Sequence, residues 1–136
     1  MTGLDTDVLV RYLAQDDPRQ SAQASRLMEA FTARDPGFVS ILTLAETIWV
    51  LQDVYERSRD DISEILEALL QTEGLIVQMP ELVWQALRGF ASSRADFADH
   101  LIERMGEAAG CSTTVTFDKV AARDGGMRLM PGTAAP

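Results

Sequence analysis

The sequence predicts an α/β fold, a three-layer α/β/α sandwich with a short, mostly parallel central sheet. Short apolar segments such as Leu75–Val77 alternate with longer segments in which apolar residues recur at helical spacing. Two of the predicted strands have an acid at or just past their end, Asp5 and Asp118. Strands that alternate with helices favour parallel pairing through right-handed crossovers, which places the ends of these strands at one sheet edge.

The chain of 136 residues is long enough for one domain with its own core. We expect that domain to span residues 1–130, followed by a disordered tail at 131–136. One cysteine and one histidine can form neither an internal disulfide nor a zinc site of the Cys/His type. The sequence shows no signal peptide and no apolar run of membrane length, so we expect a cytoplasmic protein that does not insert into a membrane.

The formal net charge of -9 argues against a surface that binds nucleic acid through its own charge. Divalent cations bound by several acids would invert the charge locally and attract a phosphodiester. Acidity that serves only solubility is the alternative.

The first elements are a strand that ends at Asp5 and a short helix with Val8, Leu9, Tyr12 and Leu13 on one face. We expect this first strand to be buried. A second helix begins with Asp17 as N-cap and Pro18 at its first position. Its apolar stripe consists of Ala24, Leu27, Met28 and Phe31.

The next elements are a short strand at Phe38–Ser40 and a helix from about Leu42 to Glu56, capped by Ser40 or Thr43. The start of this helix is apolar nearly all round, which predicts burial on most sides. Glu46 lies within it, so it either occupies a narrow exposed face or binds a partner.

Ser58 and Asp61 resemble a capping box, and the helix that follows carries a clear apolar stripe. Gly74 ends this helix, Leu75–Val77 is predicted to be a buried strand, and Pro80 begins another helix.

Asp96 and Asp99 lie three residues apart at the start of a further helix, where the helix dipole favours carboxylates. A strand at Ser112–Thr116 leads to Asp118. One helical turn at Lys119–Arg123 and an edge strand at Met127–Met130 complete the domain.

Five acids therefore occupy strand ends, helix starts or an apolar helix: Asp5, Glu46, Asp96, Asp99 and Asp118. Such carboxylates would raise one another's pKa in a shared crevice unless cations were bound, and ligands made only of oxygen suit Mg²⁺ or Mn²⁺. Metals about 4 Å apart can hydrolyse phosphodiesters without a protein nucleophile. Each Asp taken singly can instead be a helix cap or a turn residue.

Four stretches together resemble PIN-domain ribonucleases of the VapC type, the toxins of bacterial type II toxin–antitoxin pairs. They are Gly3–Leu13, Leu44–Leu51, Ala95–Ile102 and Val115–Lys119, in the order and spacing of the family. The resemblance covers the chain up to the tail. It implies a PIN-like fold, Mg²⁺- or Mn²⁺-dependent endoribonuclease cleavage of structured RNA (tRNA, rRNA or mRNA) that stops translation, neutralisation by a VapB-like antitoxin, and a homodimer joined through the N-terminal helices.

By this resemblance, Asp5, Glu46, Asp99 and Asp118 match the acidic quartet that binds the metal, and Asp96 matches a fifth acid beside it. Thr116 matches a Ser/Thr position in the same pocket. Asp7 departs from the usual Asn or Ser, and either adds a charge to the metal site or caps the first helix. The further candidates for pocket or phosphate contacts are Thr6, Arg11, Lys119 and Arg123. His100 is expected to be a surface or helix-dipole residue rather than a general base.

Two other readings stay open. Asp5-Thr6-Asp7-Val8 also fits the opening motif of aspartyl-phosphate phosphatases of the haloacid dehalogenase type, although Lys119 does not occupy the position that this class requires. The second is a non-catalytic PIN-like module that binds only a protein partner. A titration with Mn²⁺ distinguishes this module from the nuclease.

Overall fold

Helices alternate with short parallel strands along residues 1–133, the part of the chain that the computed structural model describes. This arrangement confirms the predicted α/β class and the parallel pairing. By internal contacts the chain divides into a first unit, Met1–Pro80, and a second unit, Glu81–Pro136. No helix within residues 1–133 has the length and apolar character needed to cross a membrane.

The first unit contains three strands and four helices. In chain order they are β1 (Thr2–Gly3), α1 (Thr6–Ala14), α2 (Pro18–Ala30), β2 (Gly37–Val39), α3 (Ile41–Asp53), α4 (Arg59–Gln71) and β3 (Leu75–Val77). The elements that follow are α5 (Pro80–Ala91), α6 (Phe97–Ala108), β4 (Val115–Thr116), α7 (Lys119–Asp124) and β5 (Arg128–Leu129).

The sheet of the first unit has the strand order β1-β2-β3, with Gly3 opposite Phe38 and Phe38 opposite Ile76. The expectation of a buried first strand is wrong, because both residues of β1 are exposed and burial begins at Leu4. The expected burial of β3 is also wrong at Ile76. Ile76 lies on the sheet face that it shares with Phe38 and Gly3, and none of these three residues is buried.

Local side-chain caps fix the helix starts where the sequence predicts them. Asp17 accepts a hydrogen bond from the Gln20 amide at the start of α2. Ser40, one of the two predicted candidates, caps α3, and Ser58 caps α4. Such caps satisfy amides that have no partner inside the helix, so these short polar residues set the register of the apolar faces.

One face of α3 is open to solvent, so the expected burial on most sides is wrong. Leu42 is 70% exposed and Trp49 is 61% exposed, whereas Leu44 and Ile48 are buried. Leu42, Glu46 and Trp49 recur at helical spacing and share the exposed face. Glu46 therefore lies in solvent, flanked by two apolar side chains, and does not carry an unpaired charge into the core.

In the second unit, Phe90 of α5 and Phe97 of α6 pack edge to face, with ring centroids 6.2 Å apart. Both side chains are fully buried, and their contact holds the C-terminal part of α5 against the start of α6. The strands β4 and β5 pair in parallel as a second, two-stranded sheet. The strands before Asp5 and Asp118 therefore belong to different sheets, and the expectation that they end at one sheet edge is wrong. Of the expected tail, residues 131–133 contain a turn in which the Thr133 amide bonds to the Met130 carbonyl, and residues 134–136 lie outside the described residues.

Candidate active site

Asp5 lies where the first strand of the first unit ends. The Leu4 amide donates to the Phe38 carbonyl at 2.9 Å, which extends the pairing of β1 and β2 by one residue. Asp5 then caps α1, and its Oδ1 accepts a hydrogen bond from the Thr6 amide at 2.8 Å. The cap uses one of the two carboxylate oxygens of an exposed side chain.

Glu46 is joined to this strand end through a hydroxyl. Thr6 Oγ1 donates to Glu46 Oε2 at 2.8 Å. The start of α3 is bonded to the same region, because Thr43 Oγ1 donates to the Leu4 carbonyl at 3.4 Å. The structure therefore brings Glu46 next to the residue that follows Asp5.

Arg11, a predicted phosphate contact, is held by partners within the first unit. Its Nε donates to Gln20 Oε1 at 2.7 Å, and its Nη1 lies 3.2 Å from the Tyr55 hydroxyl and 3.6 Å from Asp16. The Tyr55 hydroxyl also donates to Asp16, and this bond is the main cause of the lowered pKa of Asp16. Arg11 lines a cavity of about 460 Å³ formed by α1 and α2, and the exposed Asp7 lies on the same wall.

Asp96 and Asp99 begin α6 in the second unit, and the Asp96 amide donates to Asp99 Oδ2 at 3.1 Å. Removal from water raises the pKa of Asp99, the hydrogen bond from the Asp96 amide lowers it, and the negative charges of Asp96 and Asp118 raise it further. The net shift is upward. Asp96 and Asp118 therefore lie close enough for their charges to act on Asp99.

Asp118 follows β4 in a turn fixed from both sides. Its amide donates to Thr116 Oγ1 at 3.0 Å, and its Oδ1 accepts from the Ala121 amide at 2.8 Å as the cap of α7. Thr116 thus holds the backbone from which Asp118 projects. Lys119, the first residue of α7, is exposed.

His100 is buried, so the expectation of a surface position is wrong. Its Nε2 lies 2.9 Å from Ser93 Oγ, and its ring lies against Gly89, where an added Cβ would approach Nδ1 to 2.5 Å. The sequence feature that could have indicated this contact is Gly89, a glycine inside the helix α5, where a larger residue would normally be favoured. His100 therefore fastens the start of α6 immediately after Asp99.

The site residues form two groups, each within its own unit: Asp5, Thr6, Asp7, Arg11 and Glu46 in the first, and Asp96, Asp99, Thr116, Asp118 and Lys119 in the second. The donors are carboxylate and hydroxyl oxygens, the ligand chemistry that Mg²⁺ and Mn²⁺ prefer. Within residues 1–133, no three side chains of His, Cys, Asp or Glu are arranged to hold one ion as they stand.

The chain was compared with families and individual proteins of known identity. The sequence model of the PIN domain matches residues 4–125, which includes parts of both units. A VapC ribonuclease of Aquifex aeolicus (strain VF5) is 23% identical over 116 residues, which cover 85% of this chain and 86% of that protein. No solved structure gives a significant match.

Proposed function

The chain belongs to the PIN domain family, and from that premise we propose that it is an endoribonuclease toxin that uses Mg²⁺ or Mn²⁺ to cut structured RNA and so inhibits translation. The similarity to a VapC ribonuclease over most of both chains supports this proposal. The observation that carries it is the hydrogen bond from Thr6 to Glu46, which joins a carboxylate of α3 to the helix that Asp5 caps.

The proposed metal ligands are Asp5, Glu46, Asp99 and Asp118, with Asp96 as a fifth acid. A bound divalent cation would supply activation of water and stabilisation of the leaving oxygen in phosphodiester hydrolysis. The chain's own contribution is to hold the carboxylates: Thr6 orients Glu46, and the Asp96 amide orients Asp99. Thr116 fixes the backbone from which Asp118 projects.

RNA binding by a chain of net charge -9 depends on where its charges lie. Cations bound by the acids would offset the repulsion between their carboxylates and the scissile phosphate. The exposed Lys119 directly follows Asp118, and we propose that it contacts an RNA phosphate. Arg11 is a weaker candidate, since its guanidinium already bonds Gln20 and Tyr55.

The proposed partners follow from the same family. They are a VapB-like antitoxin that neutralises the nuclease in the cytoplasm, and a second copy of the chain in a homodimer. The N-terminal helices are the proposed dimer contact, with Tyr12, Leu13, Leu27 and Ile65 as contributors. Leu27 is 37% exposed on α2, which supports its use in such a contact.

The decisive experiment measures RNA cleavage by the purified chain with Mn²⁺ or Mg²⁺ and with a chelator. Asp5→Ala and Asp99→Ala should each abolish cleavage and growth inhibition while circular dichroism shows a retained fold. Asp60→Ala removes an exposed acid from the first turn of α4 and should leave cleavage unchanged. Sequencing of the RNA ends would locate the cut. Cleavage that persists in both site variants would contradict the proposal.

A further inference from the structure

Asp124 is an acid outside the proposed metal ligands that joins α7 to the loop before α6. It is the last residue of α7, and its side chain is 21% exposed. Its Oδ2 accepts a hydrogen bond from the Arg94 amide at 3.3 Å, and its Oδ1 accepts one from Arg123 Nε at 3.1 Å. The bond from Arg123 is the main cause of the lowered pKa of Asp124, and the bond from the Arg94 amide lowers it further, against the effect of partial burial. Asp124 is therefore a charged acceptor at neutral pH.

The helix α7 is fixed at both of its ends. At its start, Asp118 Oδ1 accepts a hydrogen bond from the Ala121 amide, and the Asp118 amide donates to Thr116 Oγ1. At its end, Asp124 bonds the Arg94 amide. A helix rises about 1.5 Å per residue, so about 9 Å separate Asp118 from Asp124 along its axis. The helix α7 thus connects Asp118 to the loop at Arg94 as one short, rigid element.

The loop that receives this bond leads directly to the start of α6. Arg94 lies two residues before Asp96, the N-cap of that helix. The residue between them, Ala95, is fully buried, and its amide donates to Ser93 Oγ at 3.3 Å. A displacement of Arg94 would therefore be transmitted to Asp96, because the loop has little freedom to absorb it.

We propose that Asp124 is a positioning residue for the proposed metal site and sets the place of Asp118 relative to Asp96 and Asp99. This inference rests on the proposed function, in which these three acids bind Mg²⁺ or Mn²⁺. Burial, and then the charges of Asp96 and Asp118, raise the pKa of Asp99 against the lowering effect of the Asp96 amide, so the three acids lie near one another. Like charges repel, and before a cation binds other contacts must hold these carboxylates together. The bond from Arg94 to Asp124 is such a contact, because it joins the helix capped by Asp118 to the loop before Asp96.

The test measures Mn²⁺ affinity by calorimetry in three variants of the full chain. Asp124→Ala should weaken Mn²⁺ binding about tenfold, the low end of the range for residues that orient metal ligands, and should slow RNA cleavage at limiting Mn²⁺. Asp124→Asn keeps an oxygen for the Arg94 amide and should retain most of the affinity. Glu107→Ala removes an exposed acid of α6 that pairs with Arg104, and should leave the affinity unchanged.

Two further measurements use the chain without metal. Hydrogen exchange at the Arg94 amide should be faster in Asp124→Ala than in the wild type, because this amide loses its acceptor. Thermal melts of all three variants should lie within a few degrees of the wild type. At saturating Mn²⁺, RNA cleavage by Asp124→Ala should return to the kcat and KM of the wild type, because the bound cation then holds the acids together.

Four results would overturn the inference and leave the proposed function standing. The first is wild-type Mn²⁺ affinity in Asp124→Ala. The second is an equal loss of affinity in Asp124→Asn, which would show that the charge of Asp124 acts on the cation, and not its bond to Arg94. The third is a raised KM for RNA with unaltered Mn²⁺ affinity, which would assign Asp124 to orienting Arg123. The fourth is a melting temperature of Asp124→Ala far below that of the wild type, which would assign Asp124 to the stability of the fold.

A wild-type chain that binds no Mn²⁺ would contradict the proposed function itself, and this inference with it.

Discussion

Thr6 Oγ1 donates a hydrogen bond to Glu46 Oε2 across 2.8 Å, although the two residues are 40 positions apart in the sequence. The bond joins the first residue of α1 to the exposed face of α3. Because Asp5 caps the same helix, one threonine connects the local geometry of two proposed metal ligands. The hydroxyl is therefore a positioning group for the proposed reaction, and its removal can be tested separately from the acids.

Thr6→Val should lower kcat/KM for RNA by about 3- to 10-fold, because an ordinary hydrogen bond contributes about 0.7–1.4 kcal/mol and Glu46 would lose its fixed orientation. Thr6→Ser retains the hydroxyl and should keep most of the activity. Both variants should melt within a few degrees of the wild type. Equal losses in the valine and serine variants would show that the hydroxyl does not orient Glu46.

Asp99→Asn should raise the melting temperature at neutral pH when no divalent cation is present. Burial, followed by the charges of Asp96 and Asp118, raises the pKa of Asp99 in the folded chain against the lowering effect of the Asp96 amide. Between the ordinary carboxyl pKa and this raised value the folded state binds more protons than the unfolded state, so stability falls as pH rises through that window. Asparagine has no charge and avoids this loss.

The measurement is a series of thermal melts followed by circular dichroism from acidic to neutral pH. The two melting temperatures should converge below the ordinary carboxyl pKa, where Asp99 is protonated in both states. Added Mn²⁺ should stabilise the wild type more than Asp99→Asn. A variant that is less stable at neutral pH and equally stabilised by Mn²⁺ would contradict this account of Asp99.

Gly89→Ala should destabilise the fold, although alanine is ordinarily more favourable than glycine in a helix by about 1 kcal/mol. The added Cβ would lie 2.5 Å from Nδ1 of the buried His100, whose ring also bonds Ser93. We expect the free energy of unfolding to fall by about 1–3 kcal/mol, as for other overpacked sites. Chemical denaturation of the variant and the wild type measures this difference. In a His100→Ala background the same substitution should be neutral or stabilising, and equal effects in both backgrounds would exclude the contact.

Thr47→Val should stabilise the protein by about 1 kcal/mol, because it replaces a buried hydroxyl with a methyl group of similar shape. Thr47 is fully buried in α3, and its Oγ1 has no hydrogen-bond partner within residues 1–133. Thr43→Val in the same helix is the matched control. Thr43 Oγ1 bonds Ser40 and the Leu4 carbonyl, so its removal should be destabilising. Denaturant titration measures both variants. A loss of stability in Thr47→Val would contradict the claim that the Thr47 hydroxyl is buried without a hydrogen bond among the described residues.

Local signals in the sequence predicted the helix starts, because caps depend on a few neighbouring residues. Asp17, Ser40 and Ser58 each bond an amide three residues ahead, as expected from their types. Asp5 and Asp118 also cap helices, so the structural role that the sequence offered as an alternative is present. Capping uses one oxygen and leaves the proposed metal role to the other, so the two roles are compatible.

The sequence was less informative about which side chains are exposed. The apolar start of α3 predicts burial on most sides, yet Leu42 and Trp49 are exposed on its open face. The expected surface position of His100 is wrong as well, because its side chain is buried. Whether a helix face is exposed depends on which other elements pack over it, and local periodicity does not determine that packing. The hydrogen bond from Thr6 to Glu46 could not be predicted from the sequence either, because it depends on how α1 and α3 pack together.

The measurement that tests the central claim most directly is a calorimetric titration of Mn²⁺ into the wild type and into Asp5→Asn and Asp118→Asn, with RNA cleavage followed in parallel. Asp60→Asn serves as the control for the loss of one negative charge. If these carboxylates bind the cation on which cleavage depends, each site variant should weaken Mn²⁺ binding at least about tenfold and lose cleavage together with it. Wild-type affinity for Mn²⁺ in both variants, or cleavage that continues in a chelator, would contradict the account.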